Sequence, residues 1–138
     1  MPVIGVTDYH ALSRLAFVAL ANNFDVGPEL NERLENCWVV ADDQVSPVTV
    51  RLGSSVSYDV NGDRRHITLV LPDKVDAGHL SVLTPVGVAL IGLRPGERGE
   101  WHSRAGRKCQ LTVTSVGHID SGRLASKTIS SRIKLRRL

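Results

Sequence analysis

The chain has 138 residues, of which 42% are hydrophobic, 22% are charged and only 4% are aromatic. This composition suits a folded chain with an aliphatic core, and it disfavours an aromatic-lined ligand pocket or a base-stacking surface. The net charge of +3 is uneven, because residues 117–138 carry six Lys or Arg and one Asp. The remaining residues carry eleven basic and thirteen acidic groups, so the sequence predicts a slightly acidic body and a basic C-terminal tail.

Two helices are predicted near the N-terminus. Apolar residues recur at helical spacing over 12–20, and Thr7 is a candidate N-cap for this first helix. The segment "NNFDVGP" (22–28) contains two asparagines that favour a helix end and a Gly-Pro pair that suits the start of a second helix. We expect the apolar face of the second helix to extend to Cys37 and Trp38. The two helices would then form a short antiparallel hairpin.

From residue 45 onwards, β-branched and alternating residues are typical of strands. The turn "NGD" (61–63) favours a β-hairpin, because Asn-Gly readily adopts positive φ. The predicted strand segments are 48–60 with a glycine kink, 65–72, 79–83, a stretch that ends at His102, and 109–116. Together these elements predict an α+β fold, in which the helical hairpin precedes a strongly bent antiparallel sheet of about five strands with one short helix.

The stretch "SVLTPVGVALIG" (81–92) joins two apolar runs through a Thr-Pro pair. Periodicity alone fits either a strand or a helix over 85–92. The Thr-Pro pair favours the helix, because Thr84 can cap it, Pro85 suits its first turn, and Gly92 is placed to end it. Two roles stay open for this junction: a simple cap on a packing helix, or an exposed, rigid loop that binds a partner.

The segment "LSVLTPVGVALIGLRPGERGEWHSRAGRKCQLTVTSV" (80–116) resembles the C-terminal domain of bacterial Gre transcript-cleavage factors. That family has a strand, Ser-Pro, a short helix ending in Leu-Ile-Gly, an acidic turn, and two strands joined by a Gly-containing turn. The corresponding residues here are Thr84-Pro85, Ala89-Leu90-Ile91-Gly92, Gly96-Glu97 and Gly106. The similarity covers roughly 46–116, and the short hairpin before it resembles the Rnk-type branch, named as regulators of nucleoside diphosphate kinase.

The resemblance implies an FKBP-like fold for residues 45–116. The residue pattern itself predicts the helical hairpin over 1–44 and a basic, flexible tail over 117–138. It also implies docking on RNA polymerase near the rim of the secondary channel, with the hairpin directed toward that channel. In the family, the Ser-Pro junction belongs to the surface that contacts the polymerase. The residues that this assigns to polymerase binding are Ser81, Leu83, Thr84 and Pro85. Thr84 replaces the usual Ser of the family, and Leu83 stands where relatives often have a polar residue.

Gre factors act through acidic residues at the hairpin tip, which help to hold a metal ion in the active site of the polymerase, and Mg²⁺ favours such oxygen ligands. The tip of this chain offers Asp25 and Glu29, which are separated by a Gly-Pro break. Its arms are shorter by two or three heptads, which corresponds to roughly 20–30 Å of reach. We therefore expect a non-enzymatic, Rnk-like regulator without efficient transcript cleavage. The alternative is a shortened Gre-like cleavage factor that uses Asp25 and Glu29.

The tail suggests a third possibility, a nucleic-acid-binding module. It ends in "SRIKLRRL" (131–138), which combines basic residues with interleaved apolar ones. The basic residues concerned are Arg132, Lys134, Arg136 and Arg137. They could contact phosphates or an acidic surface of the polymerase, and a solvated tail is the alternative interpretation.

The sequence contains no other motif with a recognisable chemistry. The five histidines show no metal-ligand spacing, and there is no nucleophile elbow or phosphate-binding loop. Cys37 and Cys109 are predicted to be small, buried hydrophobic residues. No apolar run reaches the ~18 residues of a membrane span. We expect a cytoplasmic protein that uses no cofactor or metal ion and binds no small-molecule substrate and no membrane.

Overall fold

The computed structural model describes residues 2–22, 26–103 and 105–118. The N-terminal elements are β1 (Val3–Gly5), α1 (Val6–Ala21), α2 (Gly27–Glu35) and β2 (Trp38–Val40). The two helices pack against each other across a short connection, which confirms the predicted helical hairpin. At the base of this hairpin β1 and β2 form a parallel pair that the sequence pattern does not predict.

The start of α1 differs from the prediction. The helix begins at Val6 with Gly5 in the cap position, so Thr7 is not the N-cap. The Thr7 amide donates a hydrogen bond to Oδ1 of Asp42 at 3.0 Å, and the Thr7 hydroxyl donates to Oδ2. Asp42 lies in a short 3-10 turn, and its carboxylate thus supplies a partner for one of the amides in the first turn of α1. These hydrogen bonds from Thr7 hold the pKa of the Asp42 carboxyl below its ordinary value.

The prediction that the second helix extends its apolar face to Cys37 and Trp38 is wrong. α2 ends before Asn36, whose side-chain amide donates to the carbonyl of Glu32 at 2.9 Å. Trp38 lies in β2, and its side chain is 62% exposed. Cys37 and Cys109 are free thiols that are half-buried rather than fully buried as predicted. Burial raises the pKa of the Cys37 thiol.

Five strands form the main sheet, and one helix packs against it. These elements are β3 (Ser54–Val60), β4 (Asp63–Val70), β5 (His79–Ser81), α3 (Pro85–Leu90), β6 (Arg98–His102) and β7 (Lys108–His118). The strand order is β5-β4-β3-β7-β6. The β3–β4, β3–β7 and β6–β7 pairs are antiparallel, and the β3–β7 pair has an irregularity between Ser57 and Tyr58. The predicted α+β fold with one short helix on a curled sheet is confirmed.

Two features of the sheet differ from the prediction. β5 runs parallel to β4, whereas the pattern predicts an antiparallel arrangement throughout. The strand predicted from residue 48 begins only at Ser54. The backbone before it bonds elsewhere, since the Val50 amide donates to the Leu93 carbonyl at 2.7 Å and the Gly92 amide donates to the Val50 carbonyl at 2.9 Å. These two bonds tie this segment to the end of α3 instead of to the sheet.

One hydrophobic core links the helical hairpin to the sheet. Leu12 of α1 and Leu30 of α2 are fully buried in the same cluster as Leu69 of β4, Leu90 of α3 and Leu111 of β7. Full burial of such a Leu side chain contributes about 1.5–3 kcal/mol. The hairpin is therefore packed onto the sheet through a shared core, and this packing positions α2 beside α3.

Candidate functional site

The Thr-Pro junction is a compact turn between β5 and α3. The Thr84 hydroxyl donates to the Ser81 carbonyl at 2.7 Å and accepts from the Gly87 amide at 3.0 Å. The Ser81 hydroxyl oxygen accepts from the Leu83 amide at 3.0 Å. Pro85 occupies the first turn of α3, so the predicted helix cap is confirmed. These hydrogen bonds fix the backbone throughout the junction.

Close backbone packing holds α3 against its neighbours. A Cβ atom at Gly87 would lie 2.4 Å from the Ser81 carbonyl oxygen, and one at Gly99 in β6 would lie 2.7 Å from the Ala89 carbonyl oxygen. Only glycine permits approaches as close as these. The predicted helix end at Gly92 is also confirmed, since this residue has a φ of +83°. α3 is therefore held at both ends and along one side.

The four residues predicted to contact polymerase differ in their exposure. Pro85 is exposed, whereas Ser81, Leu83 and Thr84 are half-buried. The Leu83 side chain packs against the hydrophobic core. The junction therefore presents Pro85 as its main apolar surface, with the Ser81 and Thr84 hydroxyls held by bonds inside the turn. The role of these residues in binding stays a prediction.

Arg33 of α2 joins the hairpin to the end of α3. Its Nη2 atom donates to the carbonyl of Ala89 at 2.8 Å and to the carbonyl of Ile91 at 3.1 Å. Carbonyls at a helix C-terminus lack partners within the helix, and the helix dipole favours a cation there. Burial lowers the pKa of the Arg33 guanidinium, whereas the charges of Cys37 and Glu97 act in the opposite direction.

A groove of about 420 Å³ lies between α2, α3 and β6. Pro85, Val88 and Trp101 contribute apolar surface to it, and α2 contributes Glu29 and Glu32. Two predicted sites therefore meet at one place, because Glu29 from the predicted hairpin tip and Pro85 from the predicted polymerase contact line the same groove. This juxtaposition follows from the packing of α2 alongside α3.

The rim of this groove is acidic. Glu29 and Glu32 are exposed, and within the described part of the chain neither carboxylate takes part in an ion pair or hydrogen bond. Glu100 of β6 is paired, since Lys108 Nζ lies 3.3 Å from its Oε1 and Gln110 Nε2 donates to its Oε2 at 2.9 Å. Both contacts hold the pKa of Glu100 below its ordinary value, and the contact with Lys108 has the larger effect. Two unpaired carboxylates thus remain on the α2 side.

Several predicted site residues lie outside the described part of the chain. They are Asp25, Arg132, Lys134, Arg136 and Arg137. Conversely, the sequence reasoning missed Arg33, Glu32 and Trp101, which line the groove together. The helical spacing of Glu29 and Glu32 was a usable signal for one acidic face of α2. No local signal marks Arg33, because its two acceptors lie 56 and 58 residues away along the chain.

Elsewhere in the described part of the chain, the polar clusters do not form a recognisable reaction centre. On the outer face of the sheet, the two ring nitrogens of His66 contact the hydroxyls of Ser55 and Ser57, each at 2.8 Å. Among the described residues no carboxylate contacts this histidine, so the group lacks the third member of a catalytic triad. Over the described ranges, no three His, Cys, Asp or Glu side chains are placed to hold a metal ion. Nor does any helix in those ranges have both the length and the apolarity to cross a membrane.

Comparisons with known proteins agree with this architecture. The family model described as "Transcription elongation factor, GreA/GreB, C-term" matches residues 45–118. The regulator of nucleoside diphosphate kinase from Escherichia coli strain K12 is 32% identical over 95 residues, which cover 66% of this chain and 70% of that protein. Transcription elongation factor GreA from Chloroflexus aggregans is 30% identical over 92 residues, which cover 64% of this chain and 58% of that protein.

A solved structure shows the same fold over most of the chain. The prokaryotic transcription elongation factor GreA/GreB from Nitrosomonas europaea superimposes with a TM-score of 0.68 at 29% identity. The superposition covers 86% of this chain and 100% of that one, which is a larger part of the chain than residues 45–118 alone. The chain therefore belongs to the family of GreA/GreB transcription elongation factors and Rnk-type regulators, as the sequence resemblance predicts.

Proposed function

We propose that this chain binds RNA polymerase near the rim of the secondary channel and regulates transcription elongation without efficient stimulation of transcript cleavage. In this proposal residues 45–116 form the docking domain, 1–44 the hairpin and 117–138 a basic tail. Family membership supports the partner, since the GreA relatives are named as transcription elongation factors. The contact is assigned to the junction between β5 and α3.

The rigidity of the junction supports this assignment. Thr84 bonds both to the preceding strand and to the first turn of α3, and Pro85 adds a side chain with no rotatable stem. A surface that is ordered before binding loses little conformational entropy when its partner arrives. Pro85 is exposed and therefore accessible to a partner.

The packing of α2 alongside α3 is the observation that carries the second half of the proposal. Arg33 bonds to the last carbonyls of α3, and Glu29 lines the same groove as Pro85. A carboxylate that helps to hold a metal ion in the polymerase active site would have to project well beyond the docking surface. Glu29 instead lies at that surface, which favours binding at the channel rim without a contribution to metal-dependent cleavage.

A pull-down with core RNA polymerase tests the junction. The double variant Thr84→Asp, Pro85→Ala adds a charge and removes the ring, while Asp keeps an oxygen that can cap α3. The chain offers a matched control in Ser46→Asp, Pro47→Ala, a second hydroxyl-Pro pair with an exposed proline. We expect the junction variant to bind at least ~10-fold more weakly, which is about 1.4 kcal/mol, and the control to bind like wild type. Undiminished binding of the junction variant would reject the proposed contact.

A stalled elongation complex tests the absence of cleavage. We expect the wild-type chain, added with Mg²⁺, to leave transcript cleavage at the level of the polymerase alone. The competing function is a shortened Gre-like cleavage factor. If the chain accelerates cleavage and Glu29→Gln abolishes that acceleration, this competing function is correct and the proposal is wrong.

A further inference from the structure

The last two turns of α1 are apolar on every side, because the segment "LAFVALA" (15–21) contains no polar residue. Its inner side packs on the rest of the molecule, since Ala16 and Ala19 are buried and α2 lies against the helix. A helix that is apolar all round is normally covered all round. Phe17, by contrast, is 74% exposed. In a single molecule this end of α1 is therefore covered on one side only.

The uncovered side of this segment forms one apolar surface, the α1 patch, which consists of Phe17, Val18, Leu20 and Ala21. Phe17, Leu20 and Ala21 follow the i, i+3, i+4 spacing of one helix face, and Val18 borders that face. Val18 is 46% exposed and Leu20 is 41% exposed, and Ala21 is exposed as well. Together with Phe17 they present roughly 300 Å² of apolar surface. No charged residue of α1 interrupts it, since the nearest is Arg14, one turn before the patch.

The chemistry of the α1 patch favours a second copy of this chain as its partner. A surface that is apolar and uncharged needs a partner surface that is also apolar and uncharged. Among the described residues, the other large apolar side chains with high exposure do not form such a surface. Trp38 and Val39 are successive residues of β2 and point to opposite sides, and the others, far apart in sequence, are Val6, Val48 and Val75. The α1 patch itself meets the requirement, because a twofold contact places the same patch on both sides.

We propose that two copies of this chain associate through the α1 patch, with their α1 helices antiparallel about a twofold axis beside Val18 and Ala19. In this arrangement Phe17 of each copy packs on Leu20 of the other copy. The rise per residue then separates the two Arg14 residues by roughly 14 Å along the helix axes, which exceeds the Debye length of ~8 Å. A parallel arrangement would set the two Arg14 side chains next to each other, so the charges favour the antiparallel one.

The size of the α1 patch predicts a weak dimer. Pairing of two patches buries roughly 600 Å², about half of the ~1,200 Å² at the lower end of stable interfaces. Since larger interfaces can have a Kd in the micromolar range, this dimer should form only at higher concentrations. In sedimentation equilibrium of the full chain, we expect the mass to rise from 15.0 kDa toward twice that value between about 10 μM and about 1 mM. A mass that stays at 15.0 kDa throughout overturns the proposal.

Two charge substitutions test whether Phe17 and Leu20 face each other. Phe17→Lys and Leu20→Glu each place a charge in the apolar contact, so each variant alone should dimerise at least ~10-fold more weakly than wild type. Both positions are exposed, so the folded monomer should be retained, and circular dichroism checks this. Equimolar mixing of the two variants should restore the dimer, because the antiparallel arrangement brings the opposite charges together. If wild type dimerises but Phe17→Lys dimerises equally well, or the mixture stays monomeric, the proposed contact is wrong.

Trp38→Lys is the matched control, because Trp38 is a large exposed aromatic residue that lies in β2 and outside the patch. It should dimerise like wild type, and loss of the dimer in this variant too would indicate unspecific apolar association and reject the assignment. Binding to core RNA polymerase tests the competing occupant. If wild type stays monomeric and Phe17→Lys binds polymerase more weakly, the polymerase covers the patch and the proposed dimer is wrong. Dimerisation without polymerase binding would instead reject the proposed function and leave the α1 contact in place.

Discussion

Gly87 is the position at which a single methyl group tests the geometry of the junction most directly. It lies in the first turns of α3, where the helix passes over the end of β5. A Cβ atom there would lie 2.4 Å from the Ser81 carbonyl oxygen, 2.8 Å from Val82 Cα and 2.9 Å from the Val82 carbonyl oxygen. All three neighbours are backbone atoms, so no side-chain rotation can make room. Gly87→Ala must therefore displace β5 and α3 relative to each other.

The expected loss of stability is the difference between two opposing effects. Overpacking a well-packed interior by one carbon destabilises by about 1–3 kcal/mol, and three backbone contacts place this site at or above the upper end. Replacing Gly by Ala within a helix contributes roughly 1 kcal/mol in the other direction. We therefore expect Gly87→Ala to lower the free energy of unfolding by about 2 kcal/mol. The shift should also weaken the Thr84–Ser81 hydrogen bond, which depends on the same approach.

Urea denaturation followed by circular dichroism measures this change. Gly117→Ala is the matched control, because a Cβ atom at Gly117 meets nothing within 4 Å and its φ lies outside the positive region. We expect the control to be as stable as wild type, or more stable by up to ~1 kcal/mol through its less flexible unfolded chain. If Gly87→Ala and Gly117→Ala have the same effect, the close approach of α3 to β5 is not a stability determinant and the reasoning fails.

Two further predictions concern the contacts that hold the hairpin. Arg33→Met should lower the free energy of unfolding in urea denaturation by about 2 kcal/mol, because hydrogen bonds from a charged donor contribute ~1.5–3 kcal/mol. Arg33→Lys should recover only part of this loss. Full recovery by Lys would contradict a stabilising role for the contact of Arg33 with two carbonyls. Asp42→Asn should lower the free energy of unfolding at neutral pH. The difference in this free energy from wild type should shrink as the pH falls through the pKa of Asp42, which lies below its ordinary value of 3.8. The reason is that the stabilisation from a carboxyl with a depressed pKa is lost when it is protonated. A difference between these two proteins that stays constant from neutral to strongly acidic pH would contradict the assignment to the Asp42 carboxylate.

Local signals were sufficient for α3 because its determinants are adjacent in sequence. Thr84 caps the helix through the amide of Gly87, and Gly92 ends it with positive φ. The same kind of local signal located the hairpin turn at 61–63, where Asn61 and Gly62 both have positive φ. These features depend on the conformational preferences of a few consecutive residues, which a sequence displays directly.

Long-range pairing accounts for most of the features that the sequence did not reveal. β1 and β2 have three residues each, too few for a periodic pattern, and each is extended because the other is beside it. Apolar spacing placed Trp38 on α2, but the Asn36 side chain ends that helix and the chain turns into β2. The direction of β5 is likewise invisible in its composition, because parallel and antiparallel strands use the same residues.

The residues of the acidic groove could not be brought together from the sequence either, because they are far apart along the chain. Glu29 was identified as an acid of the hairpin tip, and Pro85 as part of a docking junction, yet nothing in the sequence places them on one groove. Their proximity depends on the shared core and on Arg33, whose acceptors belong to a distant helix. A sequence reports which residues are acidic or rigid, whereas their arrangement follows from packing between elements.

The packing of α2 along the groove also determines how far the hairpin can project beyond it. α2 has nine residues and is therefore about 14 Å long. Glu29 near its start and Asn36 just beyond its end both line the groove, so the helix runs along this surface for its whole length. The hairpin thus forms one wall of the groove and has little length left to project from it. A heptad added to each arm of the hairpin between 22 and 26 would extend the tip by about 10 Å while leaving that wall in place. A short and a long hairpin can therefore share the groove that we propose lies at the docking surface and differ only in what their tips reach.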